Sequence, residues 1–330
     1  MRALIVIPGR PDGVEMIFAR RQADALASLG VDVRRFLLDP SRAPSSLARE
    51  RRRLRREIRA CVPDLVHAHY GSGSAFLCAV SVALPLVVTF HGSDLNPVPH
   101  LGPALGAATH ALSQLAALRA DRIICVSDEL VRRLAWRRDR AVVIPMGVDL
   151  ELFRPRPREE ARRALGWDLE ARVVLFNAGN PSPGKRRDLA EAAVAEARTA
   201  LPTVRLEPLA FVAPDRVPDY LNAADCLILT SEHEGSPTIV KEALACNLPI
   251  VTVEVGDVRA RLAFVAPSEI ADRTPAALGA AIVRVLAGAR RSNGRELVAP
   301  LSEPNVARRV IAVYEAALRG SAAAAGREPS

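Results

Sequence analysis

The chain of 330 residues reads as two tandem doubly wound α/β domains. Three observations predict this. Short β-branched runs alternate with helix-like segments, the pattern of a parallel sheet covered by helices on both faces. The alternation breaks once, at the proline-interrupted, charged stretch "FRPRPREE" (153–160), and then restarts. A composition of 49% apolar and 25% charged residues suffices for two buried cores, and the length suits two units of about 150 residues.

In order, "ALIVI" (3–7) is a buried strand, followed by a glycine-containing loop and a helix from about Val14 to Leu29. Strands are expected at 31–38, 64–69, 84–90, 121–127 and 140–145, each rich in Val, Ile or Leu. After the break they recur at 171–179, 204–209, 225–230 and 248–256. The stretch 305–320 is an amphipathic helix with Gly320 as its stop, and the tail 321–330 is expected to be disordered. Expected boundaries are therefore 1–153 for the first domain, 154–303 for the second and 304–320 for the last helix.

The five cysteines, Cys61, Cys78, Cys125, Cys226 and Cys246, show no CxxC spacing and sit mostly among apolar neighbours, so reduced buried thiols are expected. The start "MRALIVIPG" does not read as a signal peptide, and no apolar run approaches the ~20 residues of a membrane span. A cytoplasmic protein is expected, with peripheral contact at the inner membrane face left open. Net charge is +8, but arginine far outnumbers lysine, so basicity alone selects no partner. Aromatics make up 4%, too few for a single-stranded nucleic-acid platform. The segment 47–61 is an amphipathic helix with a basic face, open to three readings: solvated arginines, contact with anionic lipid head groups, or, least favoured, nucleic acid.

In doubly wound sheets ligands bind beyond the carboxyl ends of the strands, so the residues after each strand are the candidates for chemistry. After the first strand, "PGRPDG" (8–13) is not GxGxxG, which removes the main support for a dinucleotide site. His67 and His69 share one side of a strand, but no third ligand accompanies them and no metal is expected. The small-residue loop "YGSGSA" (70–75) suits close approach of a ligand. His91, at the end of "LVVTF", is positioned to reach into a cleft, with Asp94 close behind it. After "VVLFNAG", the loop "NPSPGKRRD" (180–188) places Lys185 near a helix start, where phosphate is attracted, with Arg186 and Arg187 beside it. It is not a Walker loop.

The stretch "SEHEGSPTIVKEALACNLPI" (231–250) carries Glu234 and Glu242 with seven residues between them. Gly235 lets the backbone come close, Pro237 suits a first helical turn, and the amides of Ser236, Pro237's neighbour Thr238, and Ile239 lie near a helix N-terminus able to bind an anion. Two carboxylates flanking such a start suit the vicinal hydroxyls of sugars, for which carboxylates are bidentate acceptors.

Together "VHAHYG", "LVVTFHGSD", "CVSDEL", "IPMGVDLELFRP", "AADCLILTSEHEGSPTIVKEALACNLPIVTVEVGDV" and "VARRVIAVYEAAL" resemble the family 4 retaining glycosyltransferases across nearly the whole chain. The flavour of "EGSPTIVKEALACNLPIV" is closest to members that build bacterial cell-wall and exopolysaccharide chains. The resemblance implies the GT-B fold: two Rossmann-like domains facing across a cleft, with the C-terminal helix crossing back to the first. It implies transfer of a sugar from a nucleotide-diphosphate sugar, UDP- or GDP-linked, to a sugar, lipid-linked or small-molecule acceptor, without metal or other cofactor and without nucleic acid. Carried over, Glu234 holds the transferred sugar, Glu242 the nucleotide ribose, and Gly235, Ser236, Pro237, Thr238 and Ile239 line the diphosphate or sugar. Lys185 matches the phosphate-binding lysine and His91 the histidine that reaches the donor, so His91, Lys185 and Glu234 are the expected catalytic set. Gly13 matches a glycine where acceptor and donor phosphate meet, and Asp94 is taken as acceptor-binding. Two positions depart from the pattern: Asn180 stands where the family usually has arginine, leaving Arg186 as the neighbouring charge, and Asp12-Gly13 stands for Gly-Gly. The alternatives are a non-hydrolysing UDP-sugar 2-epimerase on the same fold, or an inactive nucleotide-sugar-binding homologue.

Overall fold

The computed structural model describes residues 1–11, 13, 15–39, 44–96, 102–179, 182–288 and 290–325. These divide into two compact units, 1–147 with 303–330, and 148–302.

The first unit holds strands β1 (Arg2–Pro8), β2 (Asp32–Leu38), β3 (Leu65–His69), β4 (Leu86–Phe90), β5 (Arg122–Cys125) and β6 (Ala141–Val143), all parallel, in the order β2-β1-β3-β4-β5-β6. Every residue of β3 and β4 is buried, as expected of strands covered on both faces. The helices are α1 (Ile17–Ser28), α2 (Pro44–Cys61), α3 (Phe76–Ala79), α4 (Pro103–Arg119) and α5 (Asp128–Arg133). One core face joins Leu4, Val66 and Val88 of the sheet to Leu54 of α2 and Ala116 of α4. The loop "YGSGSA" is a tight helical turn packed into this core. A Cβ on Gly71 would lie 2.6 Å from the Phe90 ring and 2.5 Å from Ser113 Oγ, so Gly71 serves packing, whereas Gly73 faces open space.

The second unit holds α6 (Arg158–Leu165), β7 (Arg172–Gly179), α7 (Arg187–Ala197), β8 (Val204–Ala210), α8 (Val217–Ala223), β9 (Cys226–Leu229), α9 (Thr238–Ala245), β10 (Ile250–Thr252), α10 (Val258–Leu262), β11 (Glu269–Ile270), α11 (Pro275–Ala287) and α12 (Gly294–Val298). Its parallel sheet runs β11-β10-β9-β7-β8. Pro208 is tolerated because β8 is an edge strand. β11, only two residues long, was not visible as a hydrophobic run.

The segment expected to be a linker from Phe153 is packed into this unit. Phe153 is buried, and the Arg295 guanidinium donates to the carbonyls of Leu150, Phe153 and Ala245. Asn222 accepts from the Arg156 amide at 2.8 Å and donates to the Arg154 carbonyl at 3.0 Å. The fully buried Arg162 donates to the carbonyls of Ala223, Leu169 and Ala171 and pairs with Asp225 at 2.6 Å, which compensates its charge.

The last helix, α13 (Glu303–Ala325), belongs to the first unit and packs on α1, β4 and β5. It runs past Gly320, where a stop was expected, because the alanines after that glycine are the strongest helix formers. The part of the tail at 326–330 lies outside the described residues.

Candidate active site

In the second unit the strand order reverses around β7, which lies between β8 and β9, so the loops leaving β7 and β9 flank a topological switch point. The loop after β7 ends in a short 3₁₀ turn, Pro183–Lys185, and the loop after β9 carries Glu234. Distant in sequence, Lys185 Nζ and Glu234 Oε1 meet at 2.8 Å with side chains 27% and 17% exposed. Three further contacts stitch the two loops together. Thr230 Oγ1 donates to the carbonyls of Lys185 at 2.9 Å and Arg186 at 3.0 Å, and the Glu232 amide donates to the Gly184 carbonyl at 2.8 Å. Arg273, from beyond β11, clamps the carbonyls of Thr230 and Ser231, both at 2.9 Å.

Arg186 adopts a left-handed φ of 53° between the 3₁₀ turn and α7. Its guanidinium is held by Asp188 at 2.8 Å and Glu232 at 3.6 Å, and these acids raise its pKa. Asn180 lies outside the described residues.

α9 starts at Thr238, with Pro237 as its extended N-cap and no side chain capping its first turn. Nearly every residue of this helix is buried. Thr238 and Glu242 are half-buried, and being four apart they share one helical face. Glu242 is therefore not a solvated surface glutamate: it lies along the same side as the N-terminal turn. Gly235 and Ser236 are buried, and Ser236 Oγ donates to Asp257 Oδ2 at 2.9 Å. Gly256 (φ +56°) faces this turn so closely that a Cβ would lie 2.7 Å from the Gly235 carbonyl oxygen.

In the first unit His91 follows β4 and is half-buried, stacked on His69 with ring centroids 5.3 Å apart and packed against Phe18. His91 Nε2 lies 3.1 Å from His69 Nδ1, so the two imidazoles share one proton. Burial lowers the His69 pKa to about 3, which keeps that ring neutral. His67 is bonded on both nitrogens, to Tyr314 Oη and Thr89 Oγ1, each at 2.7 Å. No cluster suited to a metal ion occurs among the described residues.

Asp94, expected to bind acceptor, has a different place. Its carboxylate is buried and accepts amide hydrogens from Gly92 at 2.8 Å, His91 at 3.0 Å and Gly71 at 3.2 Å. It closes the turns after β3 and β4; burial raises its pKa while the amides draw it back. Gly13 donates its amide to the Arg10 carbonyl at 3.1 Å. The same loop is gathered by Arg20, whose guanidinium reaches the carbonyls of Arg10, Pro11 and Glu15.

The described contacts add Thr230, Arg273, Lys241, Asp257 and Arg20 to the sequence-predicted set. Thr230 and Lys241 fall inside the quoted motif, but the contacts they make depend on the turn and loop they face. A cavity of ≈ 330 Å³ lined by Arg158, Arg172, Asp225 and Arg291 opens at the opposite, amino ends of β7 and β9, away from this chemistry.

Family models match both halves of the chain: "Glycosyltransferase Family 4" over residues 11–152 and "Glycosyl transferases group 1" over 164–288. A Bacillus subtilis (strain 168) protein named for teichuronic acid biosynthesis, TuaC, is 30% identical over 226 residues, covering 59% of this chain and 54% of that protein. The D-inositol 3-phosphate glycosyltransferase of Segniliparus rotundus is 30% identical over 307 residues, covering 79% of this chain and 68% of the relative. The chain thus spans between about half and two thirds of the length of the curated relatives it matches. Among solved structures, Anabaena Alr3699/HepE in complex with UDP-glucose superposes with a TM-score of 0.74 at 16% identity, covering 96% of this chain and 99% of that one. Sucrose-phosphate synthase from Thermosynechococcus elongatus superposes with a TM-score of 0.77 at 18% identity, covering 95% and 98%. These structures share the two-domain GT-B architecture, and the two family models with the 30% identical relative matched over 68% of its length show that the chain belongs to the glycosyltransferases of family 4.

Proposed function

We propose that the protein transfers a sugar, with retention of anomeric configuration, from a UDP- or GDP-sugar to a hydroxyl acceptor in the synthesis of a cell-envelope polysaccharide or glycolipid. The Lys185–Glu234 pair at the switch point carries this reading. It brings one cation and one carboxylate to the end of β9 beside the start of α9, a combination suited to a diphosphate bonded to a sugar. Each side chain is compensated by the other until a diphosphate competes for the ammonium and sugar hydroxyls for the carboxylate. The names of relatives support the substrate class: HepE was solved with UDP-glucose, and TuaC is named for teichuronic acid biosynthesis.

Catalysis is then mainly electrostatic. Lys185 and the α9 amides stabilise charge growing on the leaving diphosphate, and Glu234 fixes the sugar. The leaving phosphate takes the proton of the incoming hydroxyl on the same face of the sugar. Glu242, sharing a face with Thr238, holds the ribose, and we assign His91 to the donor sugar. α2 presents Arg52, Arg56 and Arg59 on its exposed side, which suits peripheral contact of a cytoplasmic enzyme with anionic lipid.

A thermal-shift series with UDP, GDP and their sugars tests the donor. Saturating donor at ~100 times Kd stabilises the fold by about 2.7 kcal/mol and raises Tm. No shift with any of them overturns the proposal.

A further inference from the structure

Of the 45 basic residues in the chain, two are lysines, Lys185 and Lys241. Both lie around Glu234. Lys185 pairs with it directly; Lys241 is fully buried in α9 and donates to Ser236 on two atoms, the carbonyl oxygen at 3.2 Å and Oγ at 3.0 Å. Ser236 Oγ in turn donates to Asp257 Oδ2, and Asp257 is paired with Arg261 at 3.1 Å. A buried ammonium is costly to keep, and a hydrophobic side chain of similar volume is often as stable or more so. A chain that otherwise uses arginine retains lysine where two acceptors of one residue meet a compact point charge. A guanidinium presents a wider, planar fork.

We propose that Lys241 is a positioning residue of the donor site, holding the Glu234–Gly235–Ser236 turn through Ser236. The turn is gripped from two sides: Gly256 lies against the Gly235 carbonyl, and Lys241 holds the Ser236 carbonyl and hydroxyl. Glu234, two residues before Ser236, takes its direction from that turn. The role in catalysis rests on the donor-site reading above; the control of Glu234 by Lys241 does not.

The two lysines make the test direct. Protein labelled with ¹³C-lysine gives one side-chain Cε signal for each, assigned by substitution. In Lys241→Met the remaining Lys185 signal is expected to move because Glu234 shifts against it. Tm is expected to stay within about 5 °C of the parent, since the change trades a lost polar contact against a relieved buried charge. Kd for UDP or GDP, by calorimetry, is expected to rise about tenfold, the equivalent of ~1.4 kcal/mol. Ser236→Ala, a milder change, is expected to move the Lys185 signal in the same sense, and the two substitutions together are expected to have less than their summed effect on it. An unmoved Lys185 signal in both variants overturns the proposal, as does a Lys241→Met protein with unchanged nucleotide affinity. If the parent protein binds no nucleotide while the Lys185 signal still moves, the donor-site reading fails and the positioning role stands.

Discussion

Lys185 and Glu234 are separated by an entire helix-strand-helix-strand passage, and the sheet order brings them to 2.8 Å. A half-buried ammonium with one carboxylate partner is poised to stabilise charge that develops elsewhere. Lys185→Ala is expected to lower turnover roughly 10²-fold or more with the true substrate pair, the scale of losing one such donor. Steady-state rates near those of the parent would remove Lys185 from the leaving-group site. Lys241 makes a prediction of the opposite kind, on stability. Burial draws its pKa from the ordinary 10.5 to about 8, with Asp257, Glu242 and Glu234 raising it and Arg261 lowering it. Between those two pH values the unfolded chain binds more protons than the folded one, so this group makes stability rise as pH goes from 8 towards 10.5. Urea midpoints of the parent are therefore expected to gain on those of Lys241→Met between pH 7.5 and about pH 9.5, across this window. Parallel pH profiles would show that Lys241 titrates normally.

At the scale of elements, α9 explains why two glutamates flank one turn. Its other faces are buried, with α8 and α12 packed against it, leaving Thr238 and Glu242 as the half-open side. Gly256 holds the approach to that helix. An alanine there meets both a φ of +56° and a contact 2.7 Å from the Gly235 carbonyl oxygen, a backbone atom that cannot swing aside. Gly256→Ala is expected to cost about 1–3 kcal/mol of stability. It is also expected to weaken donor binding, because relief of the clash displaces the turn behind Glu234. Chemical denaturation and calorimetry on the same preparation check both; a variant with parental stability and affinity contradicts this account of the turn.

At the scale of the whole molecule, the chain leaves the first unit at Gly147 and returns to it with α13. Val306, Ala307, Val310, Tyr314 and Ala317 form the buried stripe of that helix. Tyr314 alone adds a polar bond, from its buried hydroxyl to His67 Nδ1 at 2.7 Å among the described contacts of α13 with β3. Burial raises the tyrosine pKa and lowers that of His67, so both stay neutral and the bond joins two uncharged groups. Tyr314→Phe leaves a buried ring nitrogen without its partner and is expected to cost about 1–3 kcal/mol. The loss should appear in the unfolding of the first unit, followed for example by hydrogen exchange in β3 and β4. Unchanged protection there would show that apolar packing alone anchors α13.

Periodicity and strand chemistry made most of the parallel strands visible, because a strand buried on both faces has to be continuously apolar. Ligands bind beyond the carboxyl ends of such strands, so Lys185, His91 and the Glu234–Glu242 stretch are candidates from the sequence alone. Elements without a hydrophobic run escaped: β11 has two residues, and the segment after Gly147 is held by Arg295 and Asn222, whose bonds run to backbone carbonyls and an amide. Asp94 has the residue type of a ligand-binding acid, but three amides from two turns occupy it. Lys241, which no spacing or motif singles out, is buried against Ser236. Residue type and spacing determine which chemistry lies at the strand ends. Which polar groups face a ligand and which are spent on the scaffold is decided by long-range packing, since a polar side chain's partners come from wherever the fold places the nearest unsatisfied donor or acceptor.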